Sequence, residues 1–221
     1  MTPIQVNVAI VGAGTAGMGA YRAAHALTDS VLLIEGGSYG TTCARMGCMP
    51  SKLLIAAAEA AHQAHHAEPF GVLVKEVTIN GAAVMARVQR ERTRFVGFVL
   101  ETIDAIAPGD RLTAKVKFQD AHTLVTAQGQ LIHAQRIVIA TGSVPFLPPV
   151  LKGLRTHLLT NENVFELPTL PKSLAVFGPG PLGMELGQAM SRLGVKVKMF
   201  GVGGGIAGIR DPEIRDYANQ A

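Results

Sequence analysis

Tryptophan is absent from this chain, tyrosine occurs three times and cysteine only twice in 221 residues. With so few aromatics and no run of lysine or arginine, the net charge of +4 does not amount to a nucleic-acid-binding surface. No apolar run reaches the roughly 18 residues of a membrane span, so a membrane partner is not expected either. The N-terminal Met1-Thr-Pro-Ile-Gln-Val-Asn has no basic segment ahead of its apolar stretch, which runs into a glycine turn and not a cleavage site. No signal peptide and a cytoplasmic location are therefore expected. Two cysteines in such a chain point to chemistry more than to stapling. A zinc centre is not expected. There is no second Cys/His pair at ligand spacing, and His62, His65 and His66 lack an acidic or thiol complement and read as one solvated helix face.

What is abundant is glycine, 25 residues without a collagen period, and a hydrophobic fraction of 48%, enough for a sizeable core. Residues Ile4–Val11 become continuously apolar, as a buried parallel strand does, and end in Gly12-Ala13-Gly14-Thr15-Ala16-Gly17. A helix over about Ala16–Leu27 and a strand over Val31–Ile34 follow, and Glu35 closes the strand 18 residues after Gly17. Strand, GxGxxG turn, helix, strand and acid in this order predict a dinucleotide site. The turn and the helix N-terminus offer N–H groups to a diphosphate, and Glu35 offers an acceptor to a ribose. The pattern returns at a constant offset of 166 residues in Leu174–Phe177 and Gly178-Pro179-Gly180-Pro181-Leu182-Gly183, with a helix to Leu193 and a strand at Lys196–Phe200. In this second copy Gly201 stands where Glu35 stands in the first, and no arginine follows until Arg210, so NAD and NADP remain alternatives.

Between the copies lies Gly40-Thr-Thr42-Cys43-Ala-Arg-Met-Gly47-Cys48-Met-Pro50-Ser51-Lys52, with both cysteines of the chain. In a regular helix such a pair would be about 8.6 Å apart from Cα to Cα. A disulfide accepts only about 4.4–6.8 Å, so bridging requires the distorted turn that Gly47 and Pro50 permit. Closing so short a loop removes only about 2 kcal/mol of unfolded-chain entropy, a poor structural staple, and a strained bridge is more easily reduced. Two inert thiols are the alternative reading.

The rest of the chain supplies framework. Ser51–His66 and Gly81–Ala107 read as helices, the second with an apolar stripe of Val84, Val88, Phe95, Val99, Ile103 and Ile106 and a solvated side of Arg87, Arg90, Arg92 and Arg94. Val72–Ile79 reads as an extended segment. Arg111–Phe118, Thr123–Thr126 and Leu131–Ile139 read as three strands of a meander, the last running into Ala140-Thr141-Gly142. The fold class expected is α/β. A Rossmann-like unit of parallel sheet plus three-stranded meander spans 1–149, a linker 150–171, and the first βαβ of a second Rossmann-like unit 172–221.

Two nucleotide units flanking a CxxxxC and an Ala-Thr-Gly turn resemble the flavin-dependent pyridine nucleotide-disulfide oxidoreductases, and within them the dihydrolipoamide dehydrogenase group, whose dicysteine stretch likewise ends Pro50-Ser51-Lys52. The resemblance implies that Gly12, Gly14, Thr15, Ala16, Gly17, Glu35, Gly36, Gly37 and Thr42 hold FAD, with Ala140, Thr141 and Gly142 closing over it, and that Gly178, Gly180 and Gly183 receive NAD (or NADP). It implies that Cys43 exchanges with a substrate dithiol, of small-molecule or lipoyl type, that Cys48 contacts the flavin, and that Lys52 and Glu185 pair near the flavin ring. A cation there would stabilise the negative charge taken on in reduction, and exchange needs a thiolate. The stretch reads Thr-Thr-Cys-Ala-Arg-Met-Gly-Cys where the family usually has Gly-Thr-Cys-Leu-Asn-x-Gly-Cys, which leaves the substrate open. The family's later flavin turn, the rest of its NAD domain and its dimerisation domain with a catalytic His-Glu pair have no counterpart here, and no histidine follows His157. A homodimeric enzyme is thus expected for the whole protein, and low or no activity for these 221 residues alone. Mercuric or other disulfide reductases, a non-catalytic nucleotide-binding fragment, and an FAD oxidase or carrier with an incidental disulfide are the alternatives.

Overall fold

A computed structural model describes residues 2–201 and 206–220. The chain divides into two compact units, Met1–Arg45 with Thr93–Leu158, and Met46–Arg92 with Leu159–Ala221.

The first unit is built on one six-stranded sheet. Its strands are β1 (Ile4–Val11), β2 (Val31–Glu35), β3 (Arg111–Thr113), β4 (Val116–Phe118), β5 (Thr123–Thr126) and β6 (Leu131–Ile139), in the spatial order β3-β2-β1-β6-β5-β4. The four strands β3, β2, β1 and β6 run parallel, and β4 and β5 add an antiparallel extension. Alternation along β1 and β2 sends neighbours to opposite faces. Ile10 and Leu33 pack with Met18, Tyr21, Ile103 and Ile106, while Ala9 and Leu32 pack with Leu124 and Ile132. The expected strand Arg111–Phe118 is two strands on opposite edges of the sheet. Its polar-apolar alternation is unbroken, so nothing local marks the division. It is made by Leu33 and Ile34 taking Arg111 and Leu112 as partners, with the Ala114 N–H donating to the Glu35 carbonyl at 2.9 Å.

Helix α1 (Thr15–His25) joins β1 to β2. A five-residue helix α2 (Thr42–Met46) is followed at Gly47 by α3 (Cys48–His65), which starts three residues earlier than the sequence suggests. Pro50 sits in its first turn, where a missing N–H interrupts no intrahelical bond. Helix α4 (Gly81–Asp104) ends three residues before the expected Ala107; of the apolar stripe Val88 and Ile103 are buried in it and Ile106 just beyond it, together with Met85, while Phe95 is exposed. Arg92 is not on a solvated side: its guanidinium grips both carboxylate oxygens of Glu166 and is largely covered. Residues 72–80 form no strand, and Val72, Leu73 and Val74 are exposed. Extended backbone needs a neighbouring strand to take its hydrogen bonds, and among the described residues no strand pairs with this stretch.

The second unit contains β7 (Ser173–Phe177), α5 (Pro181–Arg192) and β8 (Lys196–Phe200), and ends in α6 (Pro212–Gln220). Its core joins Leu54, Ala58 and Ala61 of α3, Met85 and Val88 of α4, and Ala189 and Met190 of α5 around Phe165. Phe165 is 1% exposed, so Phe165→Ala should lower stability by about 3–5 kcal/mol through loss of burial and the cavity left behind, read as a shifted denaturant midpoint.

The repeat seen in the sequence is a repeat of backbone geometry. Val8↔Val31 through Val11↔Ile34 in the first unit correspond, 166 residues on, to Leu174↔Val197 through Phe177↔Phe200 in the second. The N–H of Gly12 donates to Ile34 at 2.7 Å, and that of Gly178 to Phe200 at 2.8 Å.

Candidate active site

Each glycine of the two turns has its own reason. Gly12 and Gly178 have φ of +108° and +107°, a left-handed region that side chains disfavour. Gly17 and Gly183 lie so close beneath them that an added Cβ would collide with the carbonyl oxygens of Gly12 and Gly178. Gly14 and Gly180 are the N-caps of α1 and α5, and a Cβ on either would meet nothing within 4 Å. The first and third glycines are therefore required by the fold, whereas the middle one faces open space in front of a helix N-terminus whose first N–H groups have no intrahelical acceptor. That space fits a dinucleotide diphosphate. Thr15 and Ala16 lie in the first turn of α1 beside it.

Glu35 ends β2 next to this turn. One of its carboxylate oxygens accepts the N–H of Ala13 and the other that of Gly37, both at 2.8 Å. These bonds orient the carboxylate and leave each oxygen a further lone pair for a hydroxyl. Gly36 is hemmed in by Lys115. Ala140-Thr141-Gly142 follows β6 on the adjacent side: the Ala140 N–H donates to Val11, and the Ala140 carbonyl blocks any side chain at Gly12. Gly142 has φ of +70°.

The dicysteine stretch is shaped by residues that sequence reasoning passed over. Gly40 (φ +121°) and Thr41 (φ +50°) turn the chain, and Thr41 Oγ1 accepts the Ala44 N–H at 3.1 Å at the start of α2. Arg45 folds back so that its Nε donates to the Tyr39 carbonyl at 2.6 Å, occupying the place a side chain at Gly40 would need. Thr42 and Cys43 are the first residues of α2, and Cys48 is the first residue of α3. Cys43 is half-buried and Cys48 exposed.

Lys52 lies one turn beyond Cys48 on the same face of α3. Its Nζ meets Glu185 Oε1 of α5 at 2.8 Å, so the two charges singled out from the sequence are brought together. A second ion pair, Arg192 to Glu59 at 2.7 Å, lies seven residues along both helices with the signs reversed. Two contacts two turns apart fix the register of α3 on α5. The matching seven-residue spacings of opposite charge are the signal that could have revealed Glu59 and Arg192. At the C-terminal end of α3 the rings of His62 and His66 lie 4.1 Å apart and are tilted by 37°, and among the described residues no group of three or more His, Cys, Asp or Glu could hold a metal.

Residues 6–221 match the pyridine nucleotide-disulphide oxidoreductase family. The chain belongs to this family. Its FAD-dependent members carry the Rossmann-type fold described above. Dihydrolipoyl dehydrogenase of Geobacillus stearothermophilus is 32% identical over 203 residues, covering 89% of this chain and 42% of the relative. Mercuric reductase of Shigella flexneri is 34% identical over 207 residues, covering 88% of this chain and 36% of the relative. The chain thus spans less than half the length of these relatives. Among solved structures, the HOCl-induced flavoprotein disulfide reductase RclA from Escherichia coli superposes with a TM-score of 0.76 over 97% of this chain and 46% of that one, at 24% identity, a likeness of fold.

Proposed function

We propose that the whole protein is a homodimeric, cytoplasmic, FAD-dependent dithiol/disulfide oxidoreductase of dihydrolipoyl dehydrogenase type, with the FAD-binding region at 1–149 and the pyridine-nucleotide region beginning near 172. The observation that carries this is the Lys52–Glu185 ion pair one helical turn past Cys48, since it supplies a held cation just where the dicysteine chemistry begins. FAD, when bound, supplies two-electron transfer between a dithiol and NAD(P). The turn at Gly12, Gly14 and Gly17, with Glu35, would hold its ADP portion, and the Ala140-Thr141-Gly142 turn would close beside it.

The residues' own work is thiol exchange. In the disulfide state, a substrate thiolate attacks Cys43 Sγ, the Cys43–Cys48 bond breaks, and Cys48 leaves as a thiolate. The second substrate thiol then displaces Cys43, giving a substrate disulfide and two enzyme thiols. Cys48 at the N-terminus of α3 is well placed for this role, because a helix N-terminus favours negative charge. Titrating the FAD-loaded chain with a dithiol should produce a long-wavelength absorption band at two-electron reduction. A flavin that is reduced by dithionite but not by dithiol would exclude the assignment.

Lys52→Met tests the cation. The pair is exposed enough that stability should change by less than about 1 kcal/mol. Reduction by dithiol, followed by stopped-flow absorbance, should slow roughly a hundredfold to a thousandfold, the range for losing one electrostatic stabiliser. Mercury reduction is the second reading, on the strength of the 34% identity to mercuric reductase, and would show as Hg(II)-dependent NADPH oxidation by the whole protein.

A further inference from the structure

Glu35 and Gly201 occupy equivalent places in the two nucleotide units, yet their surroundings are built for opposite purposes. In the first unit the Glu35 carboxylate is held by the N–H groups of Ala13 and Gly37. In the second, Pro179 stands at the same offset from Ala13 and has no N–H to give. Its ring also fills the room an acidic side chain would need. A Cβ added at Gly201 would lie 2.5 Å from both Cδ and Cγ of Pro179, and a proline ring cannot swing aside as the end of a flexible side chain can. The turn is pinned as well, since the Ala207 N–H donates to the Pro179 carbonyl at 2.6 Å. From Lys196 to Arg210 the sequence contains no acidic residue and three basic ones, Lys196, Lys198 and Arg210.

A carboxylate at this place does two things: it accepts hydrogen bonds from a ribose 2′-hydroxyl and repels a 2′-phosphate. Pro179 and Gly201 together remove both effects. We propose that the second nucleotide turn does not select NAD(H) and takes NADP(H) at least as readily. This rests on the reading of that turn as a pyridine-nucleotide site.

The test is binding, not turnover. The FAD-loaded full chain is titrated by calorimetry with NAD⁺ and with NADP⁺, and the expected Kd for NADP⁺ is equal to or lower than that for NAD⁺. Binding of NAD⁺ about tenfold or more tighter than NADP⁺ would overturn the inference while leaving the family function intact. Binding of neither nucleotide would overturn it together with the reading beneath it. The double variant Pro179→Ala/Gly201→Glu, which restores donor, room and acid at once, should move the ratio toward NAD⁺ by about tenfold or more. Gly201→Glu alone should move it less than about twofold, because the ring still blocks the acid. If the single change shifts the ratio as far as the double, the closure by Pro179 is refuted.

Discussion

A Cys48→Ser protein loses dithiol-linked turnover, a fall on the order of 10³-fold or more, yet its flavin is still reduced by pyridine nucleotide. The reason lies in the direction of exchange. With Cys48 gone there is no internal partner to leave when a substrate thiolate attacks, and no internal thiolate to resolve a mixed disulfide. Cys43, half-buried at the start of α2, keeps its sulfur and should instead be trapped as a mixed disulfide when the variant meets the disulfide of a monothiol, whose other half leaves as a free thiol. Intact mass reads this directly: the wild-type chain, whose Cys48 displaces the bound half, loses two hydrogens on oxidation, whereas the variant keeps one thiol unit at Cys43. Unchanged turnover, or a variant that oxidises as the wild type does, would remove the cysteine pair from the mechanism.

The second large effect separates folding from ligand binding within a single turn. Gly17→Ala drives a Cβ into the carbonyl oxygen of Gly12, a backbone atom bonded into the β1–α1 junction, so the strain cannot be relieved by a side-chain rotation. A loss of about 2–4 kcal/mol is expected, roughly 10 °C in Tm for a chain of this size. Gly14→Ala is the contrast. It adds a methyl to open space at a backbone angle that alanine accepts, φ −75° and ψ −169°, and should cost no more than about 1 kcal/mol as a poorer N-cap. That methyl nevertheless occupies the space proposed for the diphosphate, so FAD affinity should drop about tenfold or more, measured by fluorescence titration of the apoprotein. If Gly14→Ala binds FAD normally, the diphosphate does not lie there; if Gly17→Ala melts with the wild type, the collision is not real.

The contrast between legible and hidden features follows the range of the interactions involved. The two glycine turns, the helices after them and the dicysteine stretch could be read directly because glycine spacing, apolar runs and paired cysteines are local signals. Lys52 and Glu185 were reachable through family resemblance, although 133 residues separate them. The bracing of Gly40 by Arg45 was not, because an arginine on a short helix looks like any other surface charge until the chain has turned back on itself. The division of Arg111–Phe118 was hidden by its own regular alternation, and Val72–Ile79 read only as an extended segment, because propensity takes no account of whether a strand partner is present.

The order of residues alone marks two GxGxxG turns and one closely spaced cysteine pair in this chain, because each depends on groups within about thirty residues of one another. Folding decided what those residues do for one another. Whether Glu35 has an N–H to orient it, whether Gly201 could ever carry an acid, and whether Lys52 is a held or a wandering cation all turn on side chains distant in sequence. Such contacts are set by packing density and strand register, which no local pattern encodes.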